Sequence, residues 1–277
     1  MRVFFMLITL GASLFMAAAH GATKAESVEF QAGDIKLNGI LFRPTGAGPF
    51  PAIVALHACG GLTKNGQFRA RYQDWADALT AAGYVVLFPD SFGPRGLGSQ
   101  CRAHERPVRA SRLRVIDADA ARHWLQAQSY VVPGRISLLG WSHGGTSVLW
   151  AVRRHAAQQR NRAPDFRSAV AFYPSCRRSG VTAWSARIPT LILIGKADDW
   201  EHAGDCAQML AGARGRSAAA NLVTYPGAYH DFDRANDPVH ERVGIANTAE
   251  PSGRVHVGTQ PEARADAFKR VPEWFAR

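Results

Sequence analysis

The 277-residue sequence lacks several features that mark whole classes of protein. Beyond its N-terminal segment it has no apolar run long enough to cross a bilayer, no internal repeat and no low-complexity linker. It has neither an H-E-x-x-H pattern nor paired C-x-x-C motifs, so we expect no bound metal. An apolar fraction of 47% with 20% charged residues is typical of a globular chain and argues against a largely disordered one.

The chain also lacks a concentrated block of basic residues, although its net charge is +11. The arginines are spread over predicted helices and loops, and no nucleic-acid-binding motif accompanies them. We therefore expect no nucleic-acid partner. A basic surface that attracts anionic substrates or cell-envelope polymers stays open as an alternative.

The N-terminus differs in composition from the rest of the chain. One charge at Arg2, an apolar stretch over 3–19 and small residues around 17–21 are typical of a secretory signal peptide. We predict that residues 1–22 are this signal peptide, that residues 23–277 form a single domain, and that the protein is secreted or periplasmic without a stable membrane anchor. An uncleaved N-terminal anchor is the alternative reading, and the oligomeric state is not encoded in any recognisable pattern.

Only four cysteines are present, and in an exported protein they can form disulfides. Cys176 follows one predicted strand and Cys206 begins a predicted helix at the same edge of the sheet, which favours a Cys176–Cys206 disulfide. Cys59 and Cys101 remain, each in a loop above the sheet. They either pair with each other or leave Cys59 free near the active site.

Short apolar runs alternate with longer amphipathic segments through the chain. Residues 28–31 and 35–43 predict an antiparallel hairpin, and the nearly all-apolar run 52–56 is typical of a strand buried on both faces. Further strands are predicted at 84–88, 136–139, 169–173, 190–194 and 222–225, with helices at 68–82, 108–128, 203–210 and 263–275. The alternation predicts an α/β fold, in which a mostly parallel sheet of about eight strands carries helices on both faces.

The predicted helices and loops have two further features. In the predicted helix 108–128, four apolar residues fall on one stripe, namely Leu113, Ile116, Ala120 and Leu125. Two long irregular stretches, 91–107 and 231–260, interrupt the alternation. Loops of that length in a compact domain are usually functional, so we expect them to rim a substrate cleft.

The most informative segment is Gly140-Trp141-Ser142-His143-Gly144, which follows an apolar run and precedes a predicted helix. A G-x-S-x-G sequence between a strand and a helix is typical of a turn so sharp that the central serine takes strained backbone angles. The serine side chain then stands clear of the sheet. We predict that Ser142 is a nucleophile.

A serine hydroxyl becomes nucleophilic when an imidazole takes its proton and a carboxylate orients that imidazole. In proteins with this elbow, the acid and then the histidine follow the serine along the chain. Asp198 comes directly after the strand 190–194, so we predict it as the acid, with Asp199 as the alternative. His230 lies on the loop after the last predicted strand and is the predicted base.

Two backbone N–H groups must also face the negative charge that develops on the substrate carbonyl oxygen. His143, directly after the serine, is predicted to supply one. The loop after the strand 52–56 is predicted to supply the other from Cys59, or alternatively from Ala58, because the following Gly60-Gly61 pair lets the backbone fold close to a substrate. His57 is interpreted as a structural residue at the strand end rather than as a second base.

Five segments together resemble the dienelactone hydrolase family over nearly the whole mature chain: 57–61, 88–93, 140–144, 195–198 and 229–232. The resemblance implies an α/β-hydrolase fold and hydrolysis of esters or lactones without a cofactor. The founding enzymes of that family use a cysteine nucleophile where this chain has Ser142. They also carry a glutamate in the oxyanion loop where this chain has Ala58. Both departures favour ordinary serine-esterase chemistry.

The sequence therefore predicts an exported serine hydrolase that cleaves a small-molecule carboxylic ester or lactone through an acyl-enzyme. A peptide or amide hydrolase on the same fold is one alternative, and a non-catalytic binding protein of the cell envelope is another. No motif in the two long loops identifies the substrate.

Overall fold

A computed structural model describes residues 24–154, 163–180 and 183–277. Its strands are β1 (Ala25–Ala32), β2 (Ile35–Phe42), β3 (Phe50–Leu56), β4 (Thr63–Lys64), β5 (Gln67–Phe68), β6 (Val85–Pro89), β7 (Val131–Trp141), β8 (Ala169–Phe172), β9 (Thr190–Gly195), β10 (Ala220–Tyr225), β11 (His240–Arg242) and β12 (Val255–Val257). Its helices are α1 (Ala70–Ala81), α2 (Leu113–Gln126), α3 (His143–Ala151), α4 (Cys176–Gly180), α5 (Ala203–Gly212) and α6 (Pro261–Ala276). The predicted signal peptide, residues 1–22, lies outside the described residues.

Eight strands form one sheet in the order β1-β2-β6-β3-β7-β8-β9-β10. The pairs β1–β2 and β2–β6 are antiparallel, and every other neighbouring pair is parallel. Helix α1 contacts α6, whereas α2, α3, α4 and α5 contact one another in succession, so the helices form two groups that cover the two faces. The predicted α/β architecture with an N-terminal antiparallel hairpin is confirmed.

The central strands are apolar because both of their faces are covered. Residues 52–56 of β3 and all of β6 and β9 are buried. Each large aliphatic side chain buried in this way stabilises the fold by about 1.5–3 kcal/mol. The predicted site residues lie in the segments that follow β3, β7, β9 and β10.

Helix α2 differs from its prediction in both length and orientation. It begins at Leu113, five residues later than expected, because residues 108–109 are irregular and residues 110–112 form a turn. Of the predicted apolar stripe, Leu125 is buried as expected, whereas Ile116 is 46% exposed. The buried face also carries the charged residues Arg114 and Arg122. Charged side chains with their own hydrogen-bond partners hide a buried face from an analysis of apolar periodicity.

Two disulfides join the chain across loops near the carboxyl edge of the sheet. Cys176–Cys206 links α4 to α5, as preferred from the sequence. Cys59–Cys101 links the loop after β3 to the irregular stretch 91–107, which decides the alternative that the sequence left open. None of the helices within the described ranges is long and apolar enough to span a bilayer.

Candidate active site

Ser142 occupies a sharp turn between β7 and α3. Its backbone angles, φ 53° and ψ −115°, are strained for a residue with a side chain, as the elbow motif predicted. Close packing explains the flanking glycines. A Cβ atom added to Gly144 would lie 2.0 Å from the carbonyl oxygen of Leu56, and one added to Gly140 would lie 2.5 Å from that of Gly144. The turn therefore requires glycine on both sides of the serine.

The structure brings the three predicted side chains into one hydrogen-bonded chain. Nε2 of His230 lies 3.0 Å from Oγ of Ser142, and Nδ1 of His230 lies 2.8 Å from Oδ2 of Asp198. The other carboxylate oxygen of Asp198 accepts the backbone N–H groups of Trp200 and Glu201, each at 2.9 Å. All three side chains are buried, with Ser142 the most exposed at 6%.

Asp199, the alternative acid, faces a different histidine. Its carboxylate accepts the backbone N–H of His256 at 2.8 Å and lies 2.7 Å from Nδ1 of the same residue. Because Asp198 and Asp199 are adjacent, their side chains diverge, and only Asp198 reaches His230.

The surroundings of His230 favour a basic and immobile imidazole. Burial alone opposes the charged ring, but the neighbouring Asp198 carboxylate outweighs it, so the pKa of His230 is raised above its usual 6.5. The ring stacks on Trp200, with centroids 4.5 Å apart, and contacts Tyr173 at 4.4 Å. These two aromatic side chains and Asp198 fix the ring plane.

The end of β3 packs against the turn that carries Ser142, since a Cβ atom added to Gly144 would lie 2.7 Å from the carbonyl oxygen of His57. The N–H of Ala58 donates to the Tyr72 hydroxyl at 2.8 Å and is therefore occupied. The N–H of Cys59 donates to no acceptor within the described ranges. The loop after β3 is held from outside by Arg69, which donates to the carbonyl oxygens of Gly60 and Gly61. Of the two residues weighed from the sequence, Cys59 has the available donor.

His57, at the end of β3, has a structural environment. It is fully buried, and burial together with the nearby Arg114 lowers the pKa of His57 well below its usual value, so the ring is neutral. Its Nδ1–H donates to the Ala58 carbonyl at 2.8 Å, and its Nε2 accepts the N–H of Ser91 at 3.2 Å. Both ring nitrogens are used within the fold, in agreement with the structural interpretation.

A cavity of about 380 Å³ opens at Ser142. Both long loops line it, the first through residues 104–106 and the second through Asn247, which confirms that they rim the cleft. Trp150 and Trp200 supply aromatic surface, and Ala110 is the one aliphatic residue of the lining within the part of the chain that the structure describes. The remaining lining side chains are polar or charged.

The chain is similar to known proteins over most of its length. The model of the dienelactone hydrolase family matches residues 37–277, most of the chain and all of the candidate site. The chain belongs to the dienelactone hydrolase family. As a family member it is a hydrolase that acts on carboxylic ester or lactone bonds.

One curated relative and two solved structures are similar to this dienelactone hydrolase family member. A Bradyrhizobium protein named "Probable 2-oxo-3-(5-oxofuran-2-ylidene)propanoate lactonase" is 26% identical over 228 residues, which cover 75% of this chain and 85% of that protein. A dienelactone hydrolase-like promiscuous phosphotriesterase from metagenomic libraries has a TM-score of 0.69 at 17% identity, covering 92% of this chain and 98% of that one. An acylaminoacyl peptidase of Pyrococcus horikoshii has a TM-score of 0.65 at 14% identity, covering 93% of this chain but only 42% of the peptidase.

Sequence reasoning missed a buried network beneath the site of the hydrolase. Asp231 pairs with Arg71 and Arg234, and although burial opposes its charge, the two arginines hold the pKa of Asp231 well below its usual range. Asp233 accepts hydrogen bonds from Tyr173, Trp75 and Trp141. Among the described residues, no group of three or more His, Cys, Asp and Glu side chains is placed to hold a metal. The two aspartates anchor the loop that carries His230. Because most of their partners lie far away in the chain, no local sequence pattern indicates this network.

Proposed function

We propose that this protein is an exported serine hydrolase that cleaves a carboxylic ester or lactone through an acyl-enzyme. Ser142 Oγ attacks the carbonyl carbon while His230 Nε2 accepts the hydroxyl proton. His230 then gives that proton to the departing alkoxide oxygen. A water molecule, deprotonated by the same nitrogen, attacks the acyl-enzyme and releases the carboxylic acid and free Ser142. The hydrogen-bonded chain from Ser142 through His230 to Asp198 is the observation that carries this proposal.

The other residues of the mechanism stabilise charges that develop during the reaction. Asp198 accepts the Nδ1–H of His230 and stabilises the imidazolium that forms when the ring takes the serine proton. The backbone N–H groups of Cys59 and His143 donate to the oxyanion of the tetrahedral intermediate. One N–H comes from the loop after β3 and the other from the first turn of α3.

Export is the second part of the proposal. Residues 1–22 would direct secretion and be removed, leaving residues 23–277 as one mature domain. The two disulfides, Cys59–Cys101 and Cys176–Cys206, support this part, because such bonds persist in oxidising compartments such as the bacterial periplasm.

The cavity favours a small ester or lactone. Its lining offers Trp150 and Trp200 for flat surfaces and otherwise mostly hydrogen-bonding groups, so a long acyl chain would find little aliphatic surface to cover. A lactone or a short-chain ester fits this chemistry, and the name of the Bradyrhizobium relative points to lactones.

A peptide or amide hydrolase on the same fold is the alternative. Its support is the likeness to the acylaminoacyl peptidase, but at 14% identity that likeness shows the fold alone. A non-catalytic envelope binding protein is a weaker alternative, because it leaves the hydrogen-bonded chain at Ser142 without a use.

Hydrolysis of p-nitrophenyl esters from acetate to decanoate tests the proposal, with purified Ser142→Ala as the comparison. We expect highest activity on acetate or propionate and its loss in the variant. Ser137→Ala is the matched control, because Ser137 is also a buried serine on β7 but bonds to the Ser168 hydroxyl away from the site. A fluorophosphonate probe should label the wild type and not Ser142→Ala. Activity that survives Ser142→Ala would refute the mechanism.

A further inference from the structure

We propose that Arg114 is a positioning residue of the oxyanion hole, where its guanidinium connects the two segments that carry the proposed donors and places a positive charge behind them. This inference rests on the proposed function. It assigns a role to a buried arginine that the hydrogen-bonded chain at Ser142 does not itself use.

The first observation is the position of the side chain. Arg114 lies in the first turn of α2 and is fully buried. Its Nη1 donates to the carbonyl oxygen of His57 at 2.8 Å and lies 3.3 Å from Nδ1 of His143. His57 precedes Cys59 by two residues, and His143 carries the other proposed donor. A single nitrogen therefore links the loop after β3 to the nucleophile elbow.

The second observation is that this guanidinium has fewer acceptors than it has donors. Its Nε and Nη2 atoms have no hydrogen-bond partner among the residues that the structure describes. Phe92 lies against it, with the guanidinium carbon 5.5 Å from the ring centroid. The carboxylate of Asp117, on the next turn of α2, makes both of its hydrogen bonds to Arg95. A buried donor without an acceptor costs about 1–3 kcal/mol, so Arg114 is a poor choice for stability alone.

The charge on Arg114 persists under working conditions. Burial lowers the pKa of Arg114 to about 10, which leaves the guanidinium protonated near neutral pH. A guanidinium can only donate, so Nη1 of Arg114 is the donor in its contact with Nδ1 of His143. Arg114 therefore holds the His143 side chain while keeping a positive charge beside it.

These features act on the transition state more than on the bound substrate. The substrate carbonyl is nearly neutral when it binds and becomes an oxyanion after Ser142 attacks. A buried cation behind the donors gains most of its attraction only at that moment, in surroundings that screen charge poorly. The two unpartnered nitrogens of Arg114 lower the stability of the fold, but the positive charge that they belong to stabilises the transition state.

A purely structural role makes a different prediction, and Arg122 provides the comparison. Arg122 lies on the same helix and is 3% exposed, but its guanidinium donates to Asp119, Gln126 and the carbonyl oxygen of Pro164. It is therefore a buried arginine with satisfied donors outside the cavity lining. Replacement of Arg122 by methionine should lower the thermal midpoint and leave kcat unchanged.

The test compares Arg114→Met, Arg114→Lys and Arg122→Met in the full mature protein. For each we would measure kcat and KM on p-nitrophenyl acetate, the inhibition constant of benzeneboronic acid, which forms a tetrahedral adduct with an active serine, and the thermal midpoint. In Arg114→Met we expect kcat to fall about 10- to 100-fold with KM changed less than about twofold. Boronate affinity should fall by the same factor as kcat, and the thermal midpoint should fall less than in Arg122→Met. Arg114→Lys, which keeps the charge, should recover part of kcat.

Several results would overturn the inference. Unchanged kcat and boronate affinity in Arg114→Met, with a lowered thermal midpoint, would assign Arg114 a structural role. A raised KM at constant kcat would assign it to substrate binding. If Arg114→Met does not fold, Arg114→Gln carries the test, because its amide keeps a hydrogen-bond donor without the positive charge. Full activity with full boronate affinity in that variant would overturn the inference. If Ser142→Ala is inactive while Arg114→Met keeps full activity, this inference alone is refuted. Activity that remains in Ser142→Ala would instead refute the proposed function.

Discussion

The two disulfides should contribute equally to stability but unequally to activity. Cys59–Cys101 closes 42 residues and Cys176–Cys206 closes 30. In the chain-entropy model each loop closure stabilises the folded state by about 4 kcal/mol, and the two contributions differ by only about 0.3 kcal/mol. Removal of either bond should therefore lower the free energy of unfolding by nearly the same amount.

Removal of the two disulfides should affect activity differently, because Cys59–Cys101 holds the loop that carries the proposed oxyanion donor Cys59. The carbonyl oxygen of Cys59 accepts the N–H of Gln100 at 2.8 Å, so the disulfide and this bond fasten the loop to residues 91–107 side by side. The bonded cysteines also pack in a small apolar cluster with Trp200, the residue that stacks on His230. A displacement of about 1 Å at a reacting group can cost about 100-fold in rate. We expect kcat to fall about 10- to 100-fold without this disulfide.

The assay compares the double variants Cys59→Ser/Cys101→Ser and Cys176→Ser/Cys206→Ser. Urea unfolding would give the loss of stability, and kcat on p-nitrophenyl acetate would be measured where both variants are fully folded. If the first variant does not fold, mild reduction of folded Cys176→Ser/Cys206→Ser protein isolates the same bond. Equal kcat in the two double variants, or no change on reduction, would refute the argument that the disulfide holds the oxyanion donor.

Three further predictions follow from the site. Asp198→Asn should lower kcat by about three to four orders of magnitude, whereas Asp199→Asn should stay within about threefold of wild type; similar losses in both would contradict the assignment. Asp198 raises the pKa of His230 above 6.5, and only the neutral ring accepts a proton. We therefore expect kcat/KM to fall as the pH drops through a midpoint above 6.5, and a midpoint below 6.5 would contradict this prediction. Gly144→Ala would place a methyl group 2.0 Å from a backbone oxygen of β3 and should cost about 3 kcal/mol or more of stability with loss of activity, whereas Gly204→Ala, where the added Cβ meets open space, should fold and hydrolyse normally.

Much of the fold was predictable because the signals are local. Apolar runs and amphipathic segments specify strands and helices within a few residues, and strict alternation of the two leaves a parallel sheet as the main solution. The elbow at Ser142 is likewise local, since five consecutive residues between a strand and a helix define it. The order of acid and histidine after the serine then directed attention to Asp198 and His230, which the structure places in hydrogen-bond contact.

Other features depended on contacts between distant segments. Asp198 and Asp199 are adjacent and chemically identical, and only the direction in which each side chain leaves the turn decides which one meets His230. Arg114 falls on the buried face of α2, where its Nη1 donates to the carbonyl oxygen of His57, a contact between distant segments that apolar periodicity cannot register.

The sequence by itself determined the sheet, the elbow and the residue types of the site, because backbone propensity and hydrophobic pattern act over short stretches of chain. The tertiary structure alone decided the partner of each carboxylate, the pairing of Cys59 with Cys101 and the burial of Arg114. The physical reason is that hydrogen bonds, ion pairs and disulfides need atoms within a few ångströms of each other. For residues far apart in the chain, only the folded loops set that distance.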